Sequence, residues 1–281
     1  MRSKLFVPAV RPDLFVKALG TAADAICFDL EDAVPAERKA EARSYLETLF
    51  SASPSKETKY LLVRTNPAGS PEFLSDLNAV VRPGLFAIAL PKVEVAEDIH
   101  HAVKLLSQLE TERGIPSPIA LLVTVESPRG LRNAHALATA SERIVGLQLG
   151  FADLLEPLGI ASEDAMARQQ IRLMLRLAAG EAGVPCYEAA YPLFRDSEGF
   201  LVQLRSARAL GFAGASCIHP SQIEAVNSVF TPTAQEIAHA QAVLAAAEEA
   251  ERTGSAVVAL NGKMIDRPFV LRAKATLSRK H

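Results

Sequence analysis

Glu126 is the residue whose place in the sequence most strongly suggests chemistry. It directly follows the apolar run Ile119–Val125 and precedes Ser127-Pro128. A continuous apolar run without alternation is typical of a parallel strand that is buried on both faces, and Ser-Pro is typical of a helix start. The carboxylate is therefore predicted at the carboxyl end of a buried strand, where ligands bind in parallel α/β folds. The alternative is that Glu126 only stabilises the N-terminus of the next helix.

A second carboxylate, Asp153, follows the next apolar run in the sequence GFADLL. This pair suits a hard divalent cation, because Mg²⁺ takes one or two protein carboxylates, keeps several waters and completes its shell with substrate oxygens. We therefore predict Mg²⁺ as the cofactor, with Glu126 and Asp153 as its ligands. The alternative for Asp153 is the N-cap of a short helix. Its position on the strand next to that of Glu126 favours the metal site.

Arg64 ends the apolar run YLLVR with a group that keeps its charge. A buried guanidinium needs an anion, which is either a structural carboxylate or a substrate carboxylate held by two parallel hydrogen bonds. The sequence FDLEDAV places Asp29, Glu31 and Asp32 within four residues, where they repel one another unless cations or backbone donors offset them. We predict that one of them caps a backbone group or pairs with Lys39 or Arg64, rather than binding the metal.

Other polar residues at the ends of apolar runs have less specific signals. His219, before Pro220, is predicted to be a hydrogen-bonded structural histidine rather than a catalytic base. Lys92 and Glu94, in LPKVE, suit either the site or a solvated turn. The run ends show no Ser-His-Asp or Cys-His arrangement.

Eight apolar runs of strand character alternate with helical patterns, and no hairpin signal occurs between them. The runs are Lys4–Val10, Ala25–Glu31, Lys59–Asn66, Gly84–Glu94, Ile119–Ser127, Ile144–Asp153, Val184–Tyr191 and Gly214–His219. The helical segments are Pro12–Gly20, Ala36–Phe50, Ser70–Val81, Ala96–Arg113, Pro128–Ala140, Ser162–Gly183 and Ser197–Gly211. This pattern predicts an α/β fold, a closed (β/α)8 barrel. A doubly wound open sheet is the alternative, but it would use fewer strands and a glycine-rich phosphate loop.

The chain continues beyond the eighth run. Thr231–Gly254 is predicted to form one long alanine-rich helix, and the tail Ser255–His281 follows it. We therefore expect a barrel over residues 1–230 and a C-terminal helix and tail over residues 231–281. A minimal barrel does not need this tail, so we expect it to cover part of the molecule or to pack on a neighbouring subunit.

Composition narrows the class of protein. Of the 281 residues, 49% are hydrophobic and 22% are charged, which is typical of a globular protein with a substantial core. The net charge of −2 gives no sign of nucleic-acid or anionic-membrane binding. No apolar run approaches the roughly 18 residues of a membrane span, and the first residues lead into a strand-like run rather than a signal sequence. The cysteines are far apart in apolar segments, which predicts buried thiols and a cytoplasmic protein.

Eight segments together resemble the citrate lyase β-chain-like proteins of the HpcH/HpaI aldolase group, which includes malyl-CoA and citramalyl-CoA lyases. They are LFVPAVRPDLFVKAL, AICFDLEDAVPAERKAEAR, LLVRTNP, LPKVE, VESPRGL, GFADL, CIHPSQIEAVNSVFTP and NGKMIDRP. The segments occur in the family's order and cover essentially the whole chain. The strings DLEDAVP, CIHPSQ and FTP make the resemblance highly specific.

The resemblance implies a (β/α)8 barrel, usually a homotrimer, that cleaves or forms a carbon–carbon bond in a carboxylate-bearing 3-hydroxyacyl thioester. The products of cleavage are a keto acid such as oxaloacetate and an acetyl thioester of CoA or an acyl carrier. It implies that Glu126 and Asp153 hold Mg²⁺ and that Arg64 binds the carboxylate of the keto or hydroxy acid. Asp266, in NGKMIDRP, would reach a neighbouring subunit's site as an acid or base, and Lys17 matches a position that can contact CoA. Catalytic roles thus fall to Arg64, Glu126 and Asp266, and substrate contacts to Arg64, Glu126 and Lys17.

The chain departs from the family's pattern near the predicted site. VPAV, with Ala9 and Val10, stands where the family commonly has VPGN or VPGD, and Glu188-Ala189 stands where many members have Asp-Gly. The first change alters the approach for a thioester, and the second reshapes the pocket. A CoA-independent hydroxy-acid aldolase is therefore one alternative function. A non-catalytic subunit that binds a metal and a dicarboxylate is another.

Overall fold

Eight parallel strands form a closed barrel in the computed structural model of the chain, which describes residues 1–52, 59–252, 258–260 and 262–278. The strands are β1 (Ser3–Pro8), β2 (Ala25–Asp29), β3 (Tyr60–Arg64), β4 (Ala87–Leu90), β5 (Ala120–Val125), β6 (Ile144–Leu149), β7 (Cys186–Glu188) and β8 (Gly214–Cys217). Each strand pairs with the next, and β8 pairs with β1. The predicted (β/α)8 barrel is confirmed. The open sheet is wrong because this sheet has no edge strand.

Helices connect the strands and continue into the C-terminal region. They are α1 (Phe15–Leu19), α2 (Lys39–Ser51), α3 (Phe73–Val80), α4 (Ala96–Glu112), α5 (Pro128–Arg132), α6 (Ala134–Thr139), α7 (Phe151–Leu155), α8 (Ala165–Glu181), α9 (Ser197–Ala209), α10 (Ile223–Phe230), α11 (Ala234–Arg252) and α12 (Arg267–Ser278). In α4 the buried residues Ile99, Ala102 and Leu106 recur at helical spacing. One apolar stripe of the helix is therefore covered while its other faces remain polar.

The strands are buried on both faces, as their apolar runs predict. Every residue of β2, β4 and β5 is buried. One buried cluster, which includes small residues such as Ala25, Ala87 and Ala89, packs with Phe6 and Tyr187. Small side chains on these strands leave room for the larger ones, which is how the interior of a barrel is filled.

The predicted elements are longer than the observed ones, mainly at their polar ends. The run Gly84–Glu94 contains only the four-residue strand β4, because its last residues turn away from the sheet. The segment Pro128–Ala140 forms two short helices that meet at Asn133 instead of one. The predicted helix start is confirmed: Ser127 Oγ caps α5 by accepting a hydrogen bond from the Gly130 N–H at 3.0 Å, with Pro128 at the first helical position.

Residues 228–281 form a second compact unit, separate from the unit of residues 1–227. It contains α11, α12 and an antiparallel pair, β9 (Val258–Leu260) and β10 (Lys263–Ile265). Ala240, Val243, Ile265 and Ala273 form its own small core. These two strands were not predicted, although the Asn-Gly dipeptide at positions 261–262 is a hairpin signal in the sequence; residue 261 lies outside the described residues.

Two composition-based predictions can be checked on the described residues. None of their helices combines the length and the apolar character that crossing a membrane requires. Cys27, Cys186 and Cys217 are free and buried, as predicted. Burial raises the pKa of each thiol, to about 11 for Cys27 and about 12 for the other two, so all three stay protonated at neutral pH.

Candidate active site

A cavity of about 480 Å³ opens at the carboxyl ends of the barrel strands. Its lining includes Asp29, Arg64, Thr124, Glu126, Gln148 and Asp153. The three residues with the strongest chemical signal, Arg64, Glu126 and Asp153, are therefore brought together from β3, β5 and the turn after β6. A second cavity of similar volume lies near the amino ends of β3 and β4, around Lys59 and Phe86, and no carboxylate is among its described lining residues.

Glu126 is held directly after β5 by two backbone features. Its Oε1 accepts a hydrogen bond of 2.6 Å from the Lys92 N–H. Lys92 has φ +53°, a left-handed conformation that is uncommon for a residue other than glycine and that occurs often at functional sites. On the other side, a Cβ at Gly150 would lie 2.5 Å from Glu126 Oε2 and 2.6 Å from Glu126 Cβ. Glycine at this position therefore leaves the space that the glutamate occupies.

The electrostatic surroundings of Glu126 favour its protonated form. The residue is only 4% exposed. Burial, followed by the nearby charge of Glu31 and that of Asp153, raises the pKa of Glu126 to about 7, although the Lys92 N–H and the charge of Arg64 act in the opposite direction. A carboxylate whose ionisation is this costly gains from a cation placed beside it.

Asp153 lies in the first turn of α7 and is exposed to the cavity. The alternative role as an N-cap is wrong, because Gly150 is the N-cap residue and no side chain caps this helix. No group of three or more His, Cys, Asp or Glu side chains is arranged to hold a metal within the described ranges. Two carboxylates suit Mg²⁺ nevertheless, because this ion keeps several waters and takes oxygens from its substrate.

Arg64 is bound by the carboxylates that follow β2. Its Nε and Nη2 donate to the two oxygens of Asp29 at 2.8 and 2.6 Å, and its Nη1 lies 2.9 Å from Glu31 Oε2 and 3.3 Å from Asp32 Oδ2. Burial lowers the pKa of Arg64, but the hydrogen bonds to Asp29 and the surrounding negative charges raise it further, so the guanidinium stays charged. The predicted pairing within this cluster is confirmed for Arg64. Its contact with a substrate carboxylate stays a prediction.

The sequence also predicted a backbone cap or a pair with Lys39 for these carboxylates, and the structure has the cap but not the pair. Asp29 also accepts backbone hydrogen bonds from Glu31 at 2.9 Å and Ala33 at 3.3 Å, which is the predicted capping role. Lys39 pairs with no carboxylate of the cluster; its Nζ donates to the carbonyl oxygens of Leu30 and Glu31. The lysine therefore fixes the loop after β2 through its backbone.

Glu31 links Arg64 to Lys92. Its carboxylate is buried, with Lys92 Nζ 2.7 Å from Oε1, yet neither the lysine nor the arginine contact has the geometry of a hydrogen bond. Burial raises the pKa of Glu31 despite these cations. Lys92 therefore belongs to the site through both its backbone N–H and its ammonium group. Glu94 lies outside the cavity lining, and its Oε2 is 3.6 Å from Arg129 Nη1.

Two residues that the sequence did not single out meet inside the barrel. Lys4, on β1, is 1% exposed, and its Nζ donates a hydrogen bond to Oε1 of Gln148 on β6. Gln148 is 6% exposed and lines the cavity beside Thr124. The only sign of this contact in the sequence was a lysine within an apolar run, two residues before Phe6, so that both side chains point to the same face of the strand.

Several other candidates lie away from the cavity lining. Glu188 is fully buried and accepts two hydrogen bonds of 2.9 Å from Arg172, so its carboxylate belongs to an internal ion pair. His219 is hydrogen-bonded to Ser221, as predicted for a structural histidine. Lys17 is exposed on α1, and its contact with CoA stays a prediction.

Asp266 belongs to the C-terminal unit and directly precedes α12. Its carbonyl oxygen accepts hydrogen bonds from the N–H groups of Phe269 and Val270. Its carboxylate Oδ1 is buried and has no hydrogen-bond partner among the described residues. Its predicted role in a neighbouring subunit's site stays a prediction.

The fold and the site define a (β/α)8-barrel enzyme in which the carboxylates Glu126 and Asp153 line one cavity at the ligand-binding end. The chain belongs to the HpcH/HpaI aldolase/citrate lyase family, whose model matches residues 2–220. The resemblance found in the sequence is thereby confirmed, as is the carbon–carbon lyase class that it implied.

Several relatives match almost the whole chain. The citrate lyase subunit beta of Leuconostoc mesenteroides subsp. cremoris is 37% identical over 98% of this chain and 92% of its own. A (3S)-malyl-CoA thioesterase of Cereibacter sphaeroides is 34% identical over 99% of this chain and 94% of its own. The crystal structure of the protein CitE from Mycobacterium tuberculosis, in complex with magnesium, acetoacetate and coenzyme A, has a TM-score of 0.78 and 32% identity, covering 99% of this chain and 97% of that one.

Proposed function

We propose that the protein is a Mg²⁺-dependent lyase that cleaves or forms a carboxylate-bearing 3-hydroxyacyl thioester. The observation that supports it most strongly is that Glu126, directly after β5, and Asp153, in the helix after β6, line one cavity at the carboxyl ends of the barrel strands. A citrate lyase β subunit among the relatives, and a structural relative that binds magnesium, acetoacetate and coenzyme A, support the same class of substrate.

Glu126 and Asp153 are the residues that would hold Mg²⁺. Both offer carboxylate oxygens, which are the hard ligands that this ion prefers. Glu126 is buried beside other carboxylates, which raise its pKa together with its burial, so a cation at this place would relieve an existing excess of negative charge. When bound, the ion supplies Lewis acidity and a template for substrate oxygens.

The proposed reaction breaks the bond between the hydroxyl-bearing carbon and the carbon next to the thioester carbonyl. The hydroxyl proton leaves, the hydroxyl-bearing carbon becomes the ketone of a keto acid, and the electron pair of the broken bond forms the enolate of an acetyl thioester. The enolate then takes up one proton, so the reaction balances without an oxidant or a reductant. We propose Asp266 of a neighbouring subunit as the group that exchanges the proton, since its Oδ1 has no partner among the described residues.

Arg64 and Lys92 would position the anionic ligand. Both keep their charge, since the hydrogen bonds and charges of the carboxylates around them raise the pKa of each above its usual value in spite of burial. The bidentate contact with Asp29 fixes the plane of the Arg64 guanidinium at the cavity wall. A fixed cation that needs no reorganisation is an effective partner for a substrate carboxylate.

Three other functions differ from this one in the products that they would give, or in giving none. A CoA-independent aldolase is favoured by the turn after β1, where Ala9 and Val10 are buried and replace the family's glycine and polar residue. Thioester hydrolysis is favoured by the relative named as a (3S)-malyl-CoA thioesterase. A non-catalytic subunit would bind the same ligands without turnover.

The first experiment is a thermal-shift titration with Mg²⁺, with and without oxaloacetate, pyruvate, glyoxylate and acetyl-CoA, because ligands that bind only the folded state raise its melting temperature. The binding mixtures are then incubated and their products are identified by mass spectrometry. A new hydroxyacyl thioester supports the lyase, whereas a free thiol with no new carbon–carbon bond supports hydrolysis. A shift with a keto acid that is indifferent to CoA supports the free aldolase, and binding without any product supports the non-catalytic subunit.

Glu126→Ala tests the metal assignment. We expect turnover to fall by at least about 100-fold and the Mg²⁺-dependent thermal shift to disappear, because one of two protein ligands is lost. Glu97→Ala, the same change at an exposed position of α4, is the matched control and should leave both unchanged. Full activity of a folded Glu126→Ala protein would refute the assignment.

A further inference from the structure

Lys4 and Gln148 form a buried polar contact inside the barrel. They lie on β1 and β6, 144 residues apart in the sequence, and the ammonium of Lys4 donates to Gln148 Oε1. Both side chains are almost fully buried. A buried ammonium is costly unless it is hydrogen-bonded, so a contact of this kind calls for a function.

The charge of Lys4 determines which end of the Gln148 amide faces it. An ammonium group has three donors and no acceptor, so only the amide oxygen can be its partner. Burial lowers the pKa of Lys4 to about 8, which leaves the charged form dominant at neutral pH. The Gln148 Nε2 must therefore face away from Lys4, and none of the described residues accepts a hydrogen bond from it.

The position of Gln148 in the sheet places this amide at the floor of the cavity. Gln148 is the register partner of Thr124 across β5 and β6, and both residues line the cavity. Glu126 and Gly150 come two residues later in the sequence, just past the carboxyl ends of β5 and β6. The amide N–H donors of Gln148 thus lie deeper in the cavity than the carboxylates of Glu126 and Asp153. An apolar ligand group at that depth would leave these donors without a hydrogen-bond partner.

We propose that Gln148 contacts the substrate by donating an amide N–H to an oxygen at its deepest end, and that Lys4 is the positioning residue that holds the amide in this orientation. The inference rests on the proposed function and deepens it: the part of the ligand buried deepest in the cavity carries a hydrogen-bond acceptor, as a keto acid does. A site built to donate to such an oxygen rejects an analogue that has an apolar group in its place.

Gln148→Met tests the contact, because it keeps the length of the side chain and removes both donors. At saturating Mg²⁺, calorimetry should show the Kd of the keto acid rising about 10- to 100-fold, the usual loss for one hydrogen bond to a charged ligand. The Mg²⁺ shift in the absence of keto acid should stay unchanged. Gln108→Met, the same substitution at an exposed position of α4, is the control and should change neither value. An unchanged Kd for Gln148→Met would overturn the proposal.

A double-mutant cycle tests the positioning role of Lys4. Lys4→Met should weaken keto-acid binding, and the double variant Lys4→Met/Gln148→Met should bind as weakly as Gln148→Met alone, because Lys4 acts only through the amide. Additive losses would overturn this role. Should Lys4→Met not fold, Gln148→Glu gives the test: it keeps a partner for Lys4 but presents an oxygen to an anionic ligand, so it should bind more weakly than Gln148→Met. Binding as tight as that of Gln148→Met would refute the inference.

The same titrations separate this inference from the proposed function. A wild-type protein that binds no keto acid with Mg²⁺ would refute the proposed function. A wild-type protein that binds one, together with a folded Gln148→Met variant that binds it equally well, would refute the inference alone.

Discussion

The buried carboxylate of Glu126 makes the stability of the metal-free protein depend on pH in a way that one substitution can isolate. Its pKa in the folded protein is about 7, against a usual value of 4.5. A carboxyl group with a raised pKa stabilises the fold while it is protonated. That contribution is complete below about pH 4.5 and is lost as the pH rises through about 7. Glu126→Gln cannot ionise and therefore keeps it at every pH.

The magnitude follows from the size of the shift. A difference of 2.5 between 7 and 4.5, at 1.36 kcal/mol for each pKa unit, gives about 3 kcal/mol. In EDTA, the free energy of unfolding of Glu126→Gln should exceed that of the wild type by about this amount at pH 8. The difference should shrink steadily toward pH 4.5. The glutamine keeps an oxygen for the Lys92 N–H, so the backbone contact is preserved.

Denaturant unfolding of both proteins at several pH values between 4.5 and 8.5 measures this difference directly. Titrating groups that do not interact with Glu126 contribute equally to the two proteins and cancel. Glu97→Gln, at an exposed position of α4, should show no pH-dependent difference from the wild type. Adding Mg²⁺ at pH 8 should stabilise the wild type more than Glu126→Gln. The difference between their free energies of unfolding should therefore become smaller. A difference between Glu126→Gln and the wild type that stays constant from pH 4.5 to 8.5 would refute the electrostatic account of this residue.

Two further predictions concern the same site. Gly150→Ala should lower the free energy of unfolding by about 1–3 kcal/mol and abolish the Mg²⁺ thermal shift, because the added Cβ overlaps Glu126. The control Gly69→Ala has no atom within 4 Å of its added Cβ and should keep the shift. An intact shift in Gly150→Ala would contradict the packing argument. Asp266→Asn and Glu126→Ala should each be inactive alone and should regain part of the activity when the two variants are unfolded and refolded together, because mixed oligomers contain some complete sites. Absence of recovery, with mixed oligomers detected by native mass spectrometry, would exclude a shared site.

The parts of the site that the sequence predicted are those set by local patterns. Glu126 follows a buried apolar run and precedes a Ser-Pro helix start, so its place at the strand end depends on neighbouring residues only. Arg64 illustrates a partial prediction. Its need for an anion and its pairing with a carboxylate of the FDLEDAV segment were predicted, but the choice of partner was not. Asp29, at the end of the neighbouring strand β2, binds it through both oxygens.

The parts that were missed depend on contacts between distant strands or on backbone geometry. Lys4 and Gln148 meet only because the sheet closes and brings β1 and β6 to opposite walls of one interior. The left-handed conformation of Lys92 has no signal in LPKVE, because glycine or asparagine is the usual marker of such a backbone. The β9–β10 pair differs from these contacts, because its Asn-Gly dipeptide is a local hairpin signal that the sequence itself contains.

The balance of charge around the cavity has a kinetic consequence. The carboxylates outnumber the cations there, five to three: Asp29, Glu31, Asp32, Glu126 and Asp153 against Lys4, Arg64 and Lys92. An anionic acid that approaches without a divalent ion meets net repulsion, whereas a divalent ion is attracted and reverses the sign of the local field. If Glu126 and Asp153 hold the cation as proposed, we predict that ligand addition is ordered, with the cation entering before the acid and leaving after it. The rate of acid capture would then be set by the fraction of the protein that already carries the ion.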